Sequence, residues 1–243
     1  MSRFLYSMNK SFAGWLLLVA SAAVAQQNFI NVPSGEVTKA GKFFFQQQLN
    51  FNEIIQSNTT IDYGLGKDFE IGLNVLGVDY AEKSNSLFLN DRNDRDPYDP
   101  LLTVNGLKQF ELSETFSLSI GTQIGVNVDF DRRYRPANLT YLNARLQDWL
   151  WENFLLVAGA YYNSKHYGGA GNRMGGWAAA ELPVTEKWRV MGESVFGNNA
   201  ISYTSFGIIF LPRPHIPLTL GLQIPNTPSN AYALVFELTI TPR

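Results

Sequence analysis

The sequence predicts an all-β fold, an up-and-down antiparallel transmembrane β-barrel of about twelve strands. Three observations predict it. Apolar and polar residues alternate with the strand period of two through segment after segment of roughly ten residues, the length a tilted strand needs to cross a bilayer. The face that is not apolar carries Ser, Gly, Gln, Asn and Thr where a soluble sheet would carry charge. The connections alternate between brief turns and longer polar loops.

The first element reads as an export signal. Arg3 and Lys10 precede an apolar run from Phe12 to Val19, and Ala23, Val24 and Ala25 supply a small-residue cleavage pattern, so residues 1–25 are expected to be a signal peptide cut after Ala25. That run is shorter than the roughly 20 residues a spanning helix needs. Residues 26–41, with Pro33, Ser34 and Gly35, show no period and are expected either to enter the lumen as a plug or to hang free in the periplasm. The barrel is expected over 42–243.

Six segments alternate clearly. In KFFFQQQLNFN, Phe43, Phe45, Leu49 and Phe51 oppose Gln46, Gln48, Asn50 and Asn52; in NTTIDYGLG, Ile61, Tyr63 and Leu65 oppose Thr60, Asp62 and Gly64. FEIGLNVLGV sets Phe69, Ile71, Leu73 and Val75 against Glu70, Gly72 and Asn74. FSLSIGTQIGVNV is the cleanest, and LTLGLQI and AYALVFELTI repeat the pattern near the end of the chain. Weaker strands are expected at 101–111, 139–147, 154–162, 174–182, 188–196 and 201–211. Two of these, LLTVNGLKQF and FLLVAGAYY, carry apolar residues on both faces, so their phase stays open.

With the N-terminus periplasmic, 66–68, 113–115, 148–153, 183–187 and 212–217 become short periplasmic turns. Outer loops then fall at 53–58, 79–100, 129–138, 163–173, 197–200 and 225–230. Trp149, Trp151 and Trp188 fall at the periplasmic strand ends, and Tyr80, Tyr134, Tyr161 and Tyr162 at the outer ends, where interfacial aromatics belong.

Composition removes other classes. Absence of cysteine excludes disulfides, thiolate metal sites and cysteine nucleophiles, and a formal net charge of −2 leaves no electrostatic footprint for nucleic acid. Two stretches, NVPSGEVTKAGKFFFQQQLNF and IDYGLGKDFEIGLNVLG, resemble the first hairpin of Gram-negative outer-membrane barrels of the MetA type, transporters associated with phenol degradation. That resemblance implies the cell outer membrane as location, its lipids and the barrel assembly machinery as partners, and transport as activity. The chain departs from such barrels at its end, where Thr241, Pro242 and Arg243 stand in place of a terminal aromatic residue.

Candidate chemistry is sparse. His166 lies two residues after Ser164 in an expected outer loop, a base and nucleophile for a lipid hydrolase; His215 sits in the proline-rich turn LPRPHIPL and reads as structural. Asp91, Asp94, Asp96 and Asp99 offer oxygens for calcium, but Arg92 and Arg95 offset the charge, and a solvated loop is the expectation. The informative charges are those that strand phase turns inward: Glu70, Arg145, Arg189, Glu193 and Glu237. A basic side chain facing lipid near the midplane costs ~2–4 kcal/mol. Inside, such charges either pair into a closing network or line a watery path, and the reading favours a narrow polar path. The chain is therefore expected to be a monomeric, cofactor-free, non-enzymatic channel for small solutes. Its alternatives are a hydrolase built on Ser164 and His166, or a surface-interaction barrel acting through the 79–100 loop.

Overall fold

The structure is a computed structural model that describes residues 28–52, 54–81, 86–88, 100–127 and 134–242. The expected signal peptide and the aspartates of the 91–99 loop lie outside the described residues.

Alternation of side chains along an extended backbone becomes a ring of antiparallel strands. They are β1 (Phe43–Phe51), β2 (Ile55–Gly66), β3 (Phe69–Ala81), β5 (Leu101–Glu111), β6 (Phe116–Asn127), β7 (Pro136–Gln147), β8 (Leu155–Asn163), β9 (Met174–Pro183), β10 (Trp188–Val195), β11 (Tyr203–Arg213), β12 (Ile216–Pro225) and β13 (Ala233–Ile240). Each pairs with its neighbours in sequence, and β13 returns to β1 from Phe45 opposite Ile240 to Phe51 opposite Leu234, so the ring has no free edge. A short strand, β4 (Ser86–Phe88), pairs with the end of β3 above β5. One helix, α1 (Lys165–Gly168), packs against β7.

The two ends differ. At one, strands join by short turns; Lys67 and Asp68, both at positive φ, form the two-residue turn between β2 and β3 that matches strand twist. At the other end the connections are longer. Two stretches expected as loop are strand: β2 starts at Ile55 and pairs with β1 to its end, and β3 runs on to Ala81. The polar run Gln56 to Thr60 masks its own period, because its outward members are satisfied locally. Gln47 donates to Ser57 Oγ at 2.9 Å and accepts from Thr59 Oγ1 at 2.7 Å.

The outer surface is apolar around the circumference: Ile61, Leu73, Val104, Ile124, Leu142, Ile208, Leu220 and Leu234 are all exposed. Isolated exposed leucines are ordinary, but a continuous belt far exceeds the few hundred Å² of apolar patch that a soluble monomer shows. The barrel is thus compatible with an outer-membrane protein. Trp149, Trp151 and Trp188 are exposed at the turn end, and Tyr134 and Tyr162 at the loop end. Tyr161 is not part of that girdle. It is 3% exposed and points inward, because β8 turns Leu155, Val157, Tyr161 and Asn163 to the lumen.

β5 likewise turns Leu101, Thr103, Leu107 and Gln109 inward, while Leu102, Val104 and Phe110 face out. The apolar lumen residues of β5 and β8 are needed because the core of this protein lies inside the ring. Phe29, Ile30 and Val32 of the N-terminal segment form one cluster with Leu101, Leu107, Leu139, Leu155, Val157, Trp177 and Ile209.

Candidate functional site

Residues 28–40 enter the ring at the turn end and climb its interior. Gly64 makes the entry feasible: a Cβ there would overlap the carbonyl oxygens of Thr38 and Lys39, so only glycine lets the segment lie against β2. The strand and the segment exchange bonds, Gly41 N–H to Gly64 O at 2.8 Å and Gly64 N–H to Lys42 O at 3.1 Å.

From there the segment is held rung by rung. Thr38 N–H donates to Glu70 Oε2 at 2.7 Å, Val37 N–H to Gln109 Oε1 at 3.3 Å, and Asn143 Nδ2 to Pro33 O at 2.7 Å. At the top it reverses through a turn closed by Phe29 N–H to Val32 O at 3.0 Å. Glu193 anchors that turn: its carboxylate accepts Asn31 N–H at 3.0 Å, Val32 N–H at 3.1 Å and the Asn31 side-chain amide. Gln223 donates to Asn31 Oδ1 at 2.8 Å, and Asn28 to Gln46 Oε1 at 3.1 Å. Segment backbone that would otherwise be buried without partners is matched by wall side chains, as buried polar groups require.

Charges gather below the turn. Arg145 pairs with Glu36 of the segment at 2.9 Å, and Arg189 pairs with Glu181 of β9. Arg145, Arg189, Glu70 and Glu193 are buried, and Glu237 is fully buried beside Thr239, whose hydroxyl donates to it at 3.3 Å. Pairing and open space, which the sequence left as alternatives, divide the lumen between them: the charged network occupies the turn-end half, and a cavity occupies the rest.

That cavity has a volume of about 1120 Å³ and is floored by residues 28–33. One wall, from β1 to β5, carries Gln46, Gln48, Asn50, Gln56, Asn58, Asn74 and Asn105; the facing wall carries Tyr141 and Trp177, with Tyr167 of α1 above. Each lumenal ring on this wall lies across from a glycine on the neighbouring strand: Tyr141 opposite Gly121, Trp177 opposite Gly159, Tyr161 opposite Gly175. The missing Cβ leaves room for the ring to lie flat on the sheet. Tyr161 stacks on Trp177 at 5.1 Å, and Trp177 Nε1 donates to Asn143 Oδ1 at 2.6 Å, which links the aromatic wall to the segment. The cavity reaches the loop end at Asn52, Lys165, Ser229 and Asn230.

Ser164 and His166 lie at this loop end, at the start of and within α1. The Ser164 hydroxyl accepts Asn138 N–H at 3.0 Å, and the Ser164 carbonyl starts the helix by accepting from Tyr167 and Gly168. His215 lies in the turn between β11 and β12 and accepts Thr241 N–H on its carbonyl. Among the described residues no group of three or more His, Asp or Glu is placed to hold a metal ion.

Sequence reasoning missed Glu36, Glu181, Asp62 and the Tyr161–Trp177 pair. Glu36 had no strand phase to orient it. MGGWAAAELP is small-residued on both faces, so its period says nothing about Trp177 or Glu181. Asp62 shared the non-apolar face of β2 with Thr60 and Gly64, and that phase could have found it. Comparison with protein-family models and with curated proteins finds no match.

Proposed function

We propose that this protein is a passive outer-membrane channel for small polar solutes, closed at its periplasmic end by its own N-terminal segment. The observation that carries the reading is the pairing of a polar, loop-end cavity with a segment that floors it through bonds to the side chains of Gln46, Glu70, Gln109, Asn143, Glu193, Ser205 and Gln223, one on each of seven strands. A segment held by discrete bonds is a two-state element, docked or withdrawn, and withdrawal joins the cavity to the far side. The apolar belt supports a membrane around the ring, and the short turns at one end support placing that end in the periplasm. Kinship with MetA-type transporters belongs to the same proposal, supported by the hairpin that runs through Lys67 and Asp68.

Flux without chemistry is part of this reading. The Ser164 hydroxyl already serves the backbone of Asn138, a turn-forming role in place of a nucleophile's. The test is conductance in planar bilayers of the whole chain and of a variant lacking residues 28–40. Rare openings in the first and sustained conductance in the second are expected. Absence of conductance in both removes the channel, and lipid hydrolysis lost in Ser164→Ala would replace it with an enzyme.

A further inference from the structure

The geometry points to the loop-end cavity as a binding site for a neutral saccharide, an inference that rests on the cavity being reachable from the loop end as the channel reading requires. Three features of its lining select this chemistry. The first is an amide ladder: Gln46, Gln48 and Asn50 point inward at alternate positions of β1, with Asn74 and Asn105 farther round the same wall. Carboxamides both donate and accept, which matches hydroxyl groups that do the same.

The second is an unsatisfied pair. Gln46 is 6% exposed, yet among the described residues its Nε2 has no hydrogen-bond partner, and neither has Asn105 Oδ1. One is a donor and the other an acceptor, both on residues that line the cavity. Orphaned groups of this kind are costly unless something bonds to them, and a small rotation of either side chain into the cavity lets a hydroxyl-bearing ligand serve both with one group type.

The third is the wall across the ring, where Tyr141 and Tyr167 line the cavity and offer ring edges to the apolar C–H faces of a sugar, with the buried Trp177 packed behind Tyr141. Charge does not compete. The lining holds Asp62, Glu70 and Lys165, and the two carboxylates are engaged, Asp62 with Asn105 at 2.7 Å and Glu70 with Thr38 at 2.7 Å. A phosphate or carboxylate ligand would need clustered basic groups on this lining, and among the described residues it carries a single lysine. Drug-sized ligands fill pockets of roughly 300–1,000 Å³. A cavity of about 1120 Å³ therefore suits a short oligosaccharide better than a single sugar.

The test is isothermal titration of the full chain in detergent with maltotriose, cellotriose, xylotriose and chitotriose, against glucose 6-phosphate as a charged probe and toluene as an apolar one. At least one neutral trisaccharide is expected to bind more tightly than either control. Gln46→Leu and Asn105→Leu should each weaken that binding about tenfold, the worth of one buried hydrogen bond. Gln47→Leu, one residue away on the outer face, should leave it unchanged, and heat-modified mobility on gels verifies that each variant is folded. No binding by any trisaccharide, tighter binding of either control, or a folded Gln46→Leu that binds like wild type would overturn the assignment. Binding without conductance keeps the site and removes the channel; conductance without binding does the reverse.

Discussion

Replacing Glu193 with alanine removes the anchor at the top of the N-terminal segment and leaves the wall around it intact. Its carboxylate takes three donors from two consecutive residues, the Asn31 and Val32 amides and the Asn31 side chain. A hydrogen bond to a charged group is worth about 1.5–3 kcal/mol, and bonds that share one acceptor do not add fully, so together they hold the turn by about 3–4 kcal/mol. At about 1.4 kcal/mol per factor of ten, losing them raises the withdrawn fraction by roughly two to three orders of magnitude. Glu193→Gln keeps one acceptor oxygen and should raise it only about tenfold. Single-channel recording reads the change as open probability, and hydrogen exchange at the amides of Asn31 and Val32 reads it without a membrane. If alanine at 193 leaves both readouts at the wild-type value while removal of residues 28–40 opens the barrel, the segment is held by something other than this carboxylate and the reasoning fails.

Other perturbations separate the parts of the barrel. Arg189→Met strands Glu181, 1% exposed, without its cation, and should cost about 3–5 kcal/mol in urea unfolding from vesicles; the double variant with Glu181→Met should recover most of it, and an unshifted single variant would deny the pair its role. Gly64→Val drives a side chain into the Thr38 and Lys39 carbonyls, so the segment should be displaced and conductance should rise with the barrel still heat-modifiable; a closed, stable variant would mean the segment can shift aside without undocking. Ile208→Arg, at mid-strand on the outer face, should destabilise the barrel in lipid by ~2–4 kcal/mol, whereas an unchanged urea midpoint would place that belt outside hydrocarbon.

The ring itself was legible because lipid imposes one rule on every strand. A position facing hydrocarbon must be apolar, so its neighbours on the lumen side stand out by contrast, as Ser117, Ser119 and Gln123 do against Leu118, Ile120 and Ile124. Where that contrast fails, the reading failed with it. The run Gln56 to Asn58 passed for a loop because Ser57 faces outward, made tolerable by a bond from Gln47 of the adjacent strand. Tyr161 passed for a rim residue because its neighbour Tyr162 is one, and only the phase of β8, hidden by its apolar lumen positions, tells them apart.

Those hidden phases carry the argument about the site. A lumen filled with water has no use for Leu101, Leu107, Leu155 or Val157 facing inward, since each buried aliphatic side chain contributes about 1.5–3 kcal/mol only when it leaves water. Apolar residues on both faces of a barrel strand therefore imply something apolar in the bore, and here Phe29, Ile30 and Val32 supply it. The same three residues limit what Glu193 can do. Their contact with the wall survives loss of the carboxylate, so in Glu193→Ala the docked segment should remain the major state even as withdrawal becomes more frequent, and Ile30, seated over Gly221, should exchange more slowly than Asn31, where local loosening of the turn adds to withdrawal. Simultaneous release of both amides would mean that the polar anchor, and not the apolar contact, keeps the segment in the bore.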